Sequence, residues 1–169
     1  MAKPLLKRIL VCVNGTSESL QAVMYAIVLA KQLELSLKVV YVVDTATIKF
    51  LTNSKFFAPD ERTEYEEKLN QDGKHILEYV KNLASVKGME LETELLSGAV
   101  ATEILNAAEA FKADMIFLGG SKDSAHLLKQ SNTKASRAKF NTANQVMQYS
   151  PCPVLVVNKK EMEALFKIS

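Results

Sequence analysis

The amino-acid sequence predicts an α/β fold: a single doubly wound domain whose parallel sheet carries helices on both faces. Short apolar runs alternate with amphipathic helical patterns in the order βαβαβαβαβ, which requires crossover connections between parallel strands. The length of 169 residues suits one domain with a sizeable core. Glycine follows the first and fourth apolar runs closely, so we place the crevice, where the winding of the sheet reverses, between these two strands.

The first two strands and the helix between them are clear in the pattern. The apolar run at residues 9–13 is typical of a strand buried on both faces. Thr16 or Ser17 is expected to cap the next helix, whose apolar residues recur at spacings of three and four to about Gln32. A second buried strand covers residues 37–43.

A less regular segment, residues 45–59, follows the second strand. It carries five large apolar side chains among polar ones: Ile48, Phe50, Leu51, Phe56 and Phe57. We expect a loop or short helix whose aromatic residues pack on the core, because apolar residues in a connection usually pack. The alternative is a lid over a pocket at the end of the second strand.

A long helix is predicted to begin near Pro59, because proline and acidic residues favour a helix N-terminus, and to end at Gly88. Gly73 lies inside this helix, where glycine is unfavourable, and the sequence offers no reason for it. The third strand, residues 91–96, alternates apolar and polar residues at first, which places it nearer an edge. Residues 100–111 form the next predicted helix.

Residues 115–157 give the most direct sequence evidence about function. A fourth buried strand, residues 115–118, stops at two glycines, and the polar residues 121–139 lead to a helical pattern at 140–148 and a last strand at 154–157. A buried strand that ends in glycine and leads to a helix through a polar loop commonly forms an anion or nucleotide site. The alternative is that the glycines only let the chain leave the sheet.

Composition and charge exclude several classes of function. The net charge of +2 gives no argument for binding nucleic acid or a membrane surface. No apolar run approaches the ~20 residues of a membrane helix, and residues 1–8 lack the pattern of a signal peptide. Cys12 and Cys152 are expected to be buried reduced thiols of a cytoplasmic protein. Neither His75 nor His126 belongs to a readable catalytic or metal-ligand spacing.

Four short motifs occur at the predicted strands. They are Arg-Ile-Leu-Val-Cys-Val-Asn-Gly-Thr at 8–16, Leu-Leu-Ser-Gly at 95–98, Ala-Asp-Met-Ile-Phe-Leu-Gly at 113–119 and Pro-Cys-Pro-Val-Leu-Val-Val at 151–157. Together they resemble the universal stress protein family over roughly residues 7–158. The resemblance implies the strand order 3-2-1-4-5. We therefore expect a universal stress protein-like domain at residues 1–158 and a C-terminal tail, a short helix, at 159–169.

The resemblance also implies a phosphate-binding loop. In nucleotide-binding members the fourth strand ends in Gly-x2-Gly-x9-Gly-Ser/Thr, whose amides and hydroxyl hold phosphates at a helix N-terminus. Here Gly119 matches the first glycine, and Lys122 stands at the second. A spacer that is longer than the family's leads to Asn141 and Thr142, where the family has Gly-Ser/Thr.

The remaining nucleotide contacts implied by the resemblance come from the first two strands. Asn14 stands where the family has an acid that contacts the ribose, and Val42 falls at the adenine-contacting position. The candidate site comprises Asn14, Val42, Leu118, Gly119, Gly120, Lys122, Asn141 and Thr142. ATP or AMP is the ligand that such a site implies, and neither catalytic residues nor metal ligands are predicted.

The segment at residues 121–139 carries five basic residues against one acid, a net charge of +4. The basic residues are Lys122, Lys129, Lys134, Arg137 and Lys139. Beside a helix N-terminus they could hold a phosphate by side-chain charge instead of backbone amides. The alternative is a solvated loop without a ligand.

We expect a universal stress protein-like module that acts in a stress response by protein association, with weak or absent ATP binding. Lys122 and Asn141 replace glycines, and their side chains disturb the close approach of backbone to phosphate. The alternative is an adenine-nucleotide-binding member with a rebuilt basic phosphate loop and slow ATP hydrolysis. An enzyme of another kind is a third class, for which no constellation of residues is readable.

The expected partners are a second copy of the chain and an unidentified protein, with no nucleic acid and no membrane. The family commonly pairs through its last strand, and Val154–Val157 would be an edge with open hydrogen-bonding groups. We therefore expect a homodimer. The tail is expected either to cover this edge or to extend the interface.

Overall fold

A five-stranded parallel sheet with the order β3-β2-β1-β4-β5 forms the centre of the fold. The computed structural model describes residues 2–120, 134–158 and 160–169, with residues 134–141 described at the level of the backbone. The strands are β1 (Arg8–Cys12), β2 (Ser36–Asp44), β3 (Glu92–Gly98), β4 (Met115–Gly119) and β5 (Val154–Val157). All neighbouring strands run parallel, so the predicted fold class and strand order are confirmed.

Helices cover both faces of this sheet. Those in the described residues are α1 (Ser17–Leu33), α2 (Thr45–Asn53), α3 (Pro59–Val86), α4 (Val100–Phe111), α5 (Lys134–Tyr149) and α6 (Met162–Ile168). Helices α1 and α3 pack on one face, and α4 and α5 pack on the other. The winding reverses between β1 and β4, which is why both faces receive helices.

The hydrophobic core divides by sheet face, because successive strand residues point in opposite directions. In β1, Ile9 and Val11 belong to the cluster with α1 and α3, whereas Leu10 belongs to the cluster with α4 and α5. All three side chains are fully buried, which explains the continuous apolar run of this strand. β3 lies at an edge of the sheet, as its alternating pattern predicted.

The segment after β2 differs from its prediction. Its first nine residues form α2, and Ile48 is buried as expected. Phe50 and Phe56, however, are mostly exposed, so the prediction that the aromatic residues pack on the core is wrong for these two. A helix as short as α2 buries one narrow stripe, and Ile48 occupies it.

Helix α5 begins before the position that its apolar pattern predicted. The pattern starts at Phe140, whereas the helix starts at Lys134, inside the segment expected to be a polar loop. The added residues are Lys, Ala, Ser, Arg, Ala and Lys, most of which favour a helix. Their polarity hides this propensity when only hydrophobic periodicity is considered.

Gly73 allows α3 to lie close to the sheet. A Cβ atom at this position would lie 2.6 Å from Tyr41 Cδ1 and 2.7 Å from Leu95 Cδ1. Tyr41 in β2 and Leu95 in β3 are direct neighbours in the strand register. The absent side chain therefore makes room for two strands at once, which offsets the low helix propensity of glycine.

The tail helix α6 packs on α1. Met162 and Phe166 are buried in the cluster with α1 and α3. At the C-terminus of α3, Lys87 Nζ donates a hydrogen bond to the main-chain oxygen of Ser169 (2.9 Å) and lies 4.7 Å from the centroid of the Phe166 ring. These contacts hold the tail against α1 and α3.

Candidate functional site

The carboxyl ends of β1 and β4 lie side by side at the centre of the candidate site. Val11 pairs with Phe117 in parallel register. After this pair, β1 leads into the turn before α1, and β4 ends at Gly119. The adjacency of the first and fourth strands, on which the predicted crevice depends, is therefore present.

Asn14 forms a hydrogen-bonded turn that caps α1. Its Oδ1 accepts hydrogen bonds from the Thr16 amide (3.1 Å) and the Thr16 hydroxyl (2.7 Å). The Asn14 amide donates to Ser19 Oγ (3.2 Å), and Thr16 Oγ1 accepts from the Ser19 amide (3.2 Å) as the N-cap of the helix. Because Oδ1 holds the turn, the remaining polar group of the Asn14 side chain is Nδ2, which is a donor only.

Gly119 and Gly120 lie close to other parts of the chain. A Cβ atom at Gly119 would lie 2.5 Å from the Glu18 carbonyl carbon, in the first turn of α1. A Cβ atom at Gly120 would overlap the end of the Asn158 side chain. The Gly120 amide donates to the Val157 carbonyl oxygen (2.9 Å), which extends the pairing of β4 with β5. Glycine at position 119 is thus required by the packing of α1 on β4.

Val42 and Leu118 lie on the opposite face of the sheet from α1. Both belong to the apolar cluster that β1, β2 and β4 share with α4 and α5, together with Cys12 and Ala143. Thr142 precedes Ala143 in α5 and is half-buried. Burial raises the pKa of the Cys12 thiol to about 12, so this thiol is protonated at neutral pH.

Four of the described candidate residues fall into two groups, whereas Gly120 lies beside Asn158. Asn14 and Gly119 contact the first turn of α1, whereas Val42 and Leu118 line the apolar cluster on the other face. Lys122 lies outside the described residues, as does the side chain of Asn141. The basic residues predicted as an alternative phosphate site also lie outside them, except for the helical backbone of 134–139.

Asp44 lies at the carboxyl end of β2, and the site predicted from the sequence did not include it. It ends β2 beside Gly98 and caps α2: its Oδ1 accepts from the Thr47 amide (2.9 Å), and its Oδ2 accepts from the Thr47 hydroxyl (2.6 Å). The signal that could have identified it is an aspartate directly after a buried strand, with a hydroxyl residue three positions later.

The described residues contain no group of three or more His, Cys, Asp or Glu side chains that could hold a metal ion. Among the described helices, none has both the length and the apolar character needed to cross a membrane.

β5 lies at an edge of the sheet, next to β4. Leu155 and Val156 are 37% and 36% exposed, and Tyr149, at the end of α5, is 67% exposed. An edge strand with unpaired backbone groups and apolar side chains is a surface on which another strand can pair.

Comparison with known sequences identifies close counterparts. The universal stress protein family matches residues 6–158 of this chain. Universal stress protein MJ0531 of Methanocaldococcus jannaschii is 32% identical over 160 residues, which cover 94% of this chain and 86% of that protein. Universal stress protein YxiE of Bacillus subtilis is 30% identical over 152 residues, which cover 89% of this chain and 97% of that protein.

Solved structures share the fold at lower sequence identity. A universal stress protein family member from Burkholderia pseudomallei matches with a TM-score of 0.69 at 20% identity, covering 94% of this chain and 100% of that one. A universal stress protein in complex with cAMP matches with a TM-score of 0.59 at 20% identity, covering 90% and 96%. The universal stress protein from Archaeoglobus fulgidus in complex with dAMP matches with 0.58 at 14% identity, covering 92% and 100%.

Proposed function

Because the chain belongs to the universal stress protein family, we propose that it acts in a stress response as a protein-association module. In this proposal it works as a cytoplasmic homodimer whose ATP binding is weak or absent. The module comprises residues 1–158, and the tail at 159–169 is an addition that α1 and α3 hold in place.

The observation that carries this proposal is the engagement of Asn14 and Gly119 by α1. Oδ1 of Asn14 accepts two hydrogen bonds from Thr16, so this side chain does not offer a ribose hydroxyl the acceptor that an acid at this position would. Gly119 contacts the backbone of Glu18, so its missing side chain is accounted for without a ligand. In addition, Lys122 and Asn141 stand where phosphate-binding members of the family have glycines. Each charge-assisted hydrogen bond lost from a phosphate site costs on the order of 1.5–3 kcal/mol, and losing two weakens binding by roughly 10²–10⁴.

Calorimetric titration with ATP, ADP and AMP, with and without magnesium, tests the nucleotide part of the proposal. We expect no dissociation constant in the micromolar range for ATP. A micromolar value would contradict the proposal. Small molecules retained through native purification and identified by mass spectrometry would reveal a ligand of another kind.

The homodimer is proposed to form through β5. Leu155 and Val156 are partly exposed on an edge strand, and the tail contacts described above lie on α1 and α3. Light scattering at micromolar concentration should give a dimer mass, and Val156→Pro should convert it to monomer, because proline removes a ladder donor. A monomer mass for the wild-type chain would contradict this part. Deleting residues 159–169 would then show whether the tail blocks pairing.

The alternative function is adenine-nucleotide binding with slow ATP hydrolysis. It is favoured by the two structural counterparts solved with cAMP and dAMP. If nucleotide binds to this chain, we expect Val42, Leu118, Gly119, Asn141 and Thr142 to line the site. Unchanged affinity in the double variant Thr142→Ala, Lys122→Ala would show that the nucleotide lies elsewhere.

A further inference from the structure

The first half of α3 contributes no buried residue to the core. The buried residues of this helix are Gly73, Leu77, Val80 and Ala84, all in its second half. Residues 59–72 therefore form about 20 Å of helix whose side chains remain at least partly in solvent. Leu69 packs against the core, and the exposed faces of the stretch are available for contact with another molecule.

Aromatic side chains cluster where α2 meets this helix. Phe56 is 76% exposed and Tyr65 is 41% exposed. The rings of Phe57 and Tyr65 stack, with centroids 5.4 Å apart and an interplanar angle of 24°. We call Phe56, Phe57 and Tyr65, which line one groove, the aromatic corner. Exposed aromatic residues grouped in this way commonly mark an interaction surface.

The aromatic corner is held in a defined shape. The Phe56 amide donates to the Leu51 carbonyl oxygen (3.0 Å), and the Glu61 carboxylate accepts from the Ala58 amide (3.0 Å). Phe56, Phe57 and Tyr65 line a shallow groove of about 390 Å³, together with Glu61, Glu64 and Lys68. The groove is large enough for one apolar side chain of a partner, with acidic groups at its margin.

The net charge of residues 59–72 indicates which class of partner this part of α3 would attract. Residues 59–72 contain six acidic and two basic side chains, a net charge of −4, whereas the whole chain has a net charge of +2. The acidic residues are Asp60, Glu61, Glu64, Glu66, Glu67 and Asp72. A surface of this sign repels nucleic acid and anionic lipid and attracts basic protein segments.

We propose that the aromatic corner and the acidic half of α3 bind a protein segment in which basic residues flank an apolar or aromatic side chain. The apolar side chain lies against Phe56 and Tyr65, and the basic residues face Glu64 and its acidic neighbours. This inference rests on the proposed protein-association function and specifies its partner class. The surface lies on α3 and on the residues between α2 and α3, away from the β5 edge assigned to dimerisation.

The test uses the full chain and a fluorescein-labelled synthetic peptide in which lysine alternates with leucine and phenylalanine. We expect saturable binding by fluorescence anisotropy that weakens with added NaCl, because exposed charge pairs are screened. The double variant Phe56→Ser, Tyr65→Ser should lose about tenfold or more in affinity, as should Glu64→Lys combined with Glu67→Lys. All four side chains are exposed, so these variants should fold, which circular dichroism checks.

Matched controls use exposed residues outside this surface. Val86→Ser removes an equally exposed apolar side chain at the far end of α3, and Glu90→Lys reverses an exposed charge beyond it. Both should bind the peptide as the wild type does. Equal affinity for a peptide with serine in place of leucine and phenylalanine, or unchanged affinity in the double variants, would overturn the proposal.

The same variants separate this surface from the other possibilities. If Phe56→Ser, Tyr65→Ser converted a wild-type dimer to monomer, the surface would be an interface between two copies, and the proposal would be wrong. If the wild-type chain is a dimer that binds neither ATP nor the peptide, the proposed peptide-binding surface is wrong, and the proposed function stands. Peptide binding at the aromatic corner together with micromolar ATP affinity would support the surface and refute the proposed weakness of ATP binding.

Discussion

Gly119 lies against the backbone of Glu18, so that a Cβ atom added to this glycine would lie 2.5 Å from the Glu18 carbonyl carbon. Gly119 ends β4, and Glu18 lies in the first turn of α1. The contact therefore connects the two elements on either side of the candidate crevice. It gives the glycine a structural role that is independent of any phosphate.

Replacing Gly119 with alanine should destabilise the protein by about 2–3 kcal/mol, because the new methyl group meets backbone atoms that cannot move alone. Gly120→Ala is the matched control: its methyl group meets only the end of the Asn158 side chain, which can rotate away. We expect less than about 1 kcal/mol for this change. Urea unfolding measures both, and equal free energies for the two variants would contradict the contact.

Gly73→Ala should also destabilise, although alanine is favoured over glycine in a helix interior by about 1 kcal/mol. The added Cβ would lie 2.6 Å from the Tyr41 ring and would push α3 away from the sheet. We expect a net loss of about 1–3 kcal/mol. Asn82→Ala, at an exposed position of the same helix, should be neutral or slightly stabilising. A stabilised Gly73→Ala variant would show that α3 does not approach the sheet this closely.

The tail should contribute to stability through one side chain in particular. Phe166 is buried against α1, so Phe166→Ala should cost about 3–5 kcal/mol. Ile168 in the same helix is 82% exposed, and Ile168→Ala should change the free energy of unfolding by less than about 0.5 kcal/mol. Thermal and urea unfolding of both variants provide the measurement. Identical stability of the two variants would mean that α6 is not docked on α1.

Asp114 should make stability depend on pH at the acidic end. Hydrogen bonds from the backbone amides of Lys7 (2.8 Å) and Arg8 (2.9 Å) hold the pKa of its carboxyl below the usual range. A lowered folded-state pKa stabilises the protein above the unfolded value of about 3.9, and this contribution is lost as pH falls through the folded pKa. Asp114→Ala should therefore be less stable than the wild type at pH about 7, and this difference should shrink as the pH falls through the folded-state pKa of Asp114. A difference that persists unchanged at low pH would point to packing instead of charge.

Cys12 should react slowly with alkylating reagents in the folded protein. At pH about 8, only ~10⁻⁴ of a thiol with a pKa of about 12 is ionised to thiolate, compared with roughly a quarter of an unperturbed thiol. Iodoacetamide labelling of Cys12, followed by mass spectrometry, should therefore be about a thousandfold slower in the folded chain than in urea. Similar rates under both conditions would show that burial does not protect this thiol.

The alternation of strands and helices follows from local patterns in the amino-acid sequence, because hydrophobic periodicity and capping residues act over a few neighbouring positions. Thr16 caps α1, and Gly88, with a φ of +67°, directly follows the C-cap of α3, as their local chemistry predicted. The placement of the fourth strand beside the first depended on the glycines that follow both strands and on the resemblance to the universal stress protein family, because crossover connections alone leave the strand order open.

The packing roles of individual residues became visible only in the folded chain. Gly73 lies too close to Tyr41, and Gly119 too close to Glu18, for a side chain to fit. Both partners are far away in the chain, so no local sequence pattern reveals these contacts. In the same way, Phe50 remains exposed because Ile48 takes the buried stripe of α2. Burial depends on which surfaces meet, and the sequence specifies these surfaces only through the complete fold.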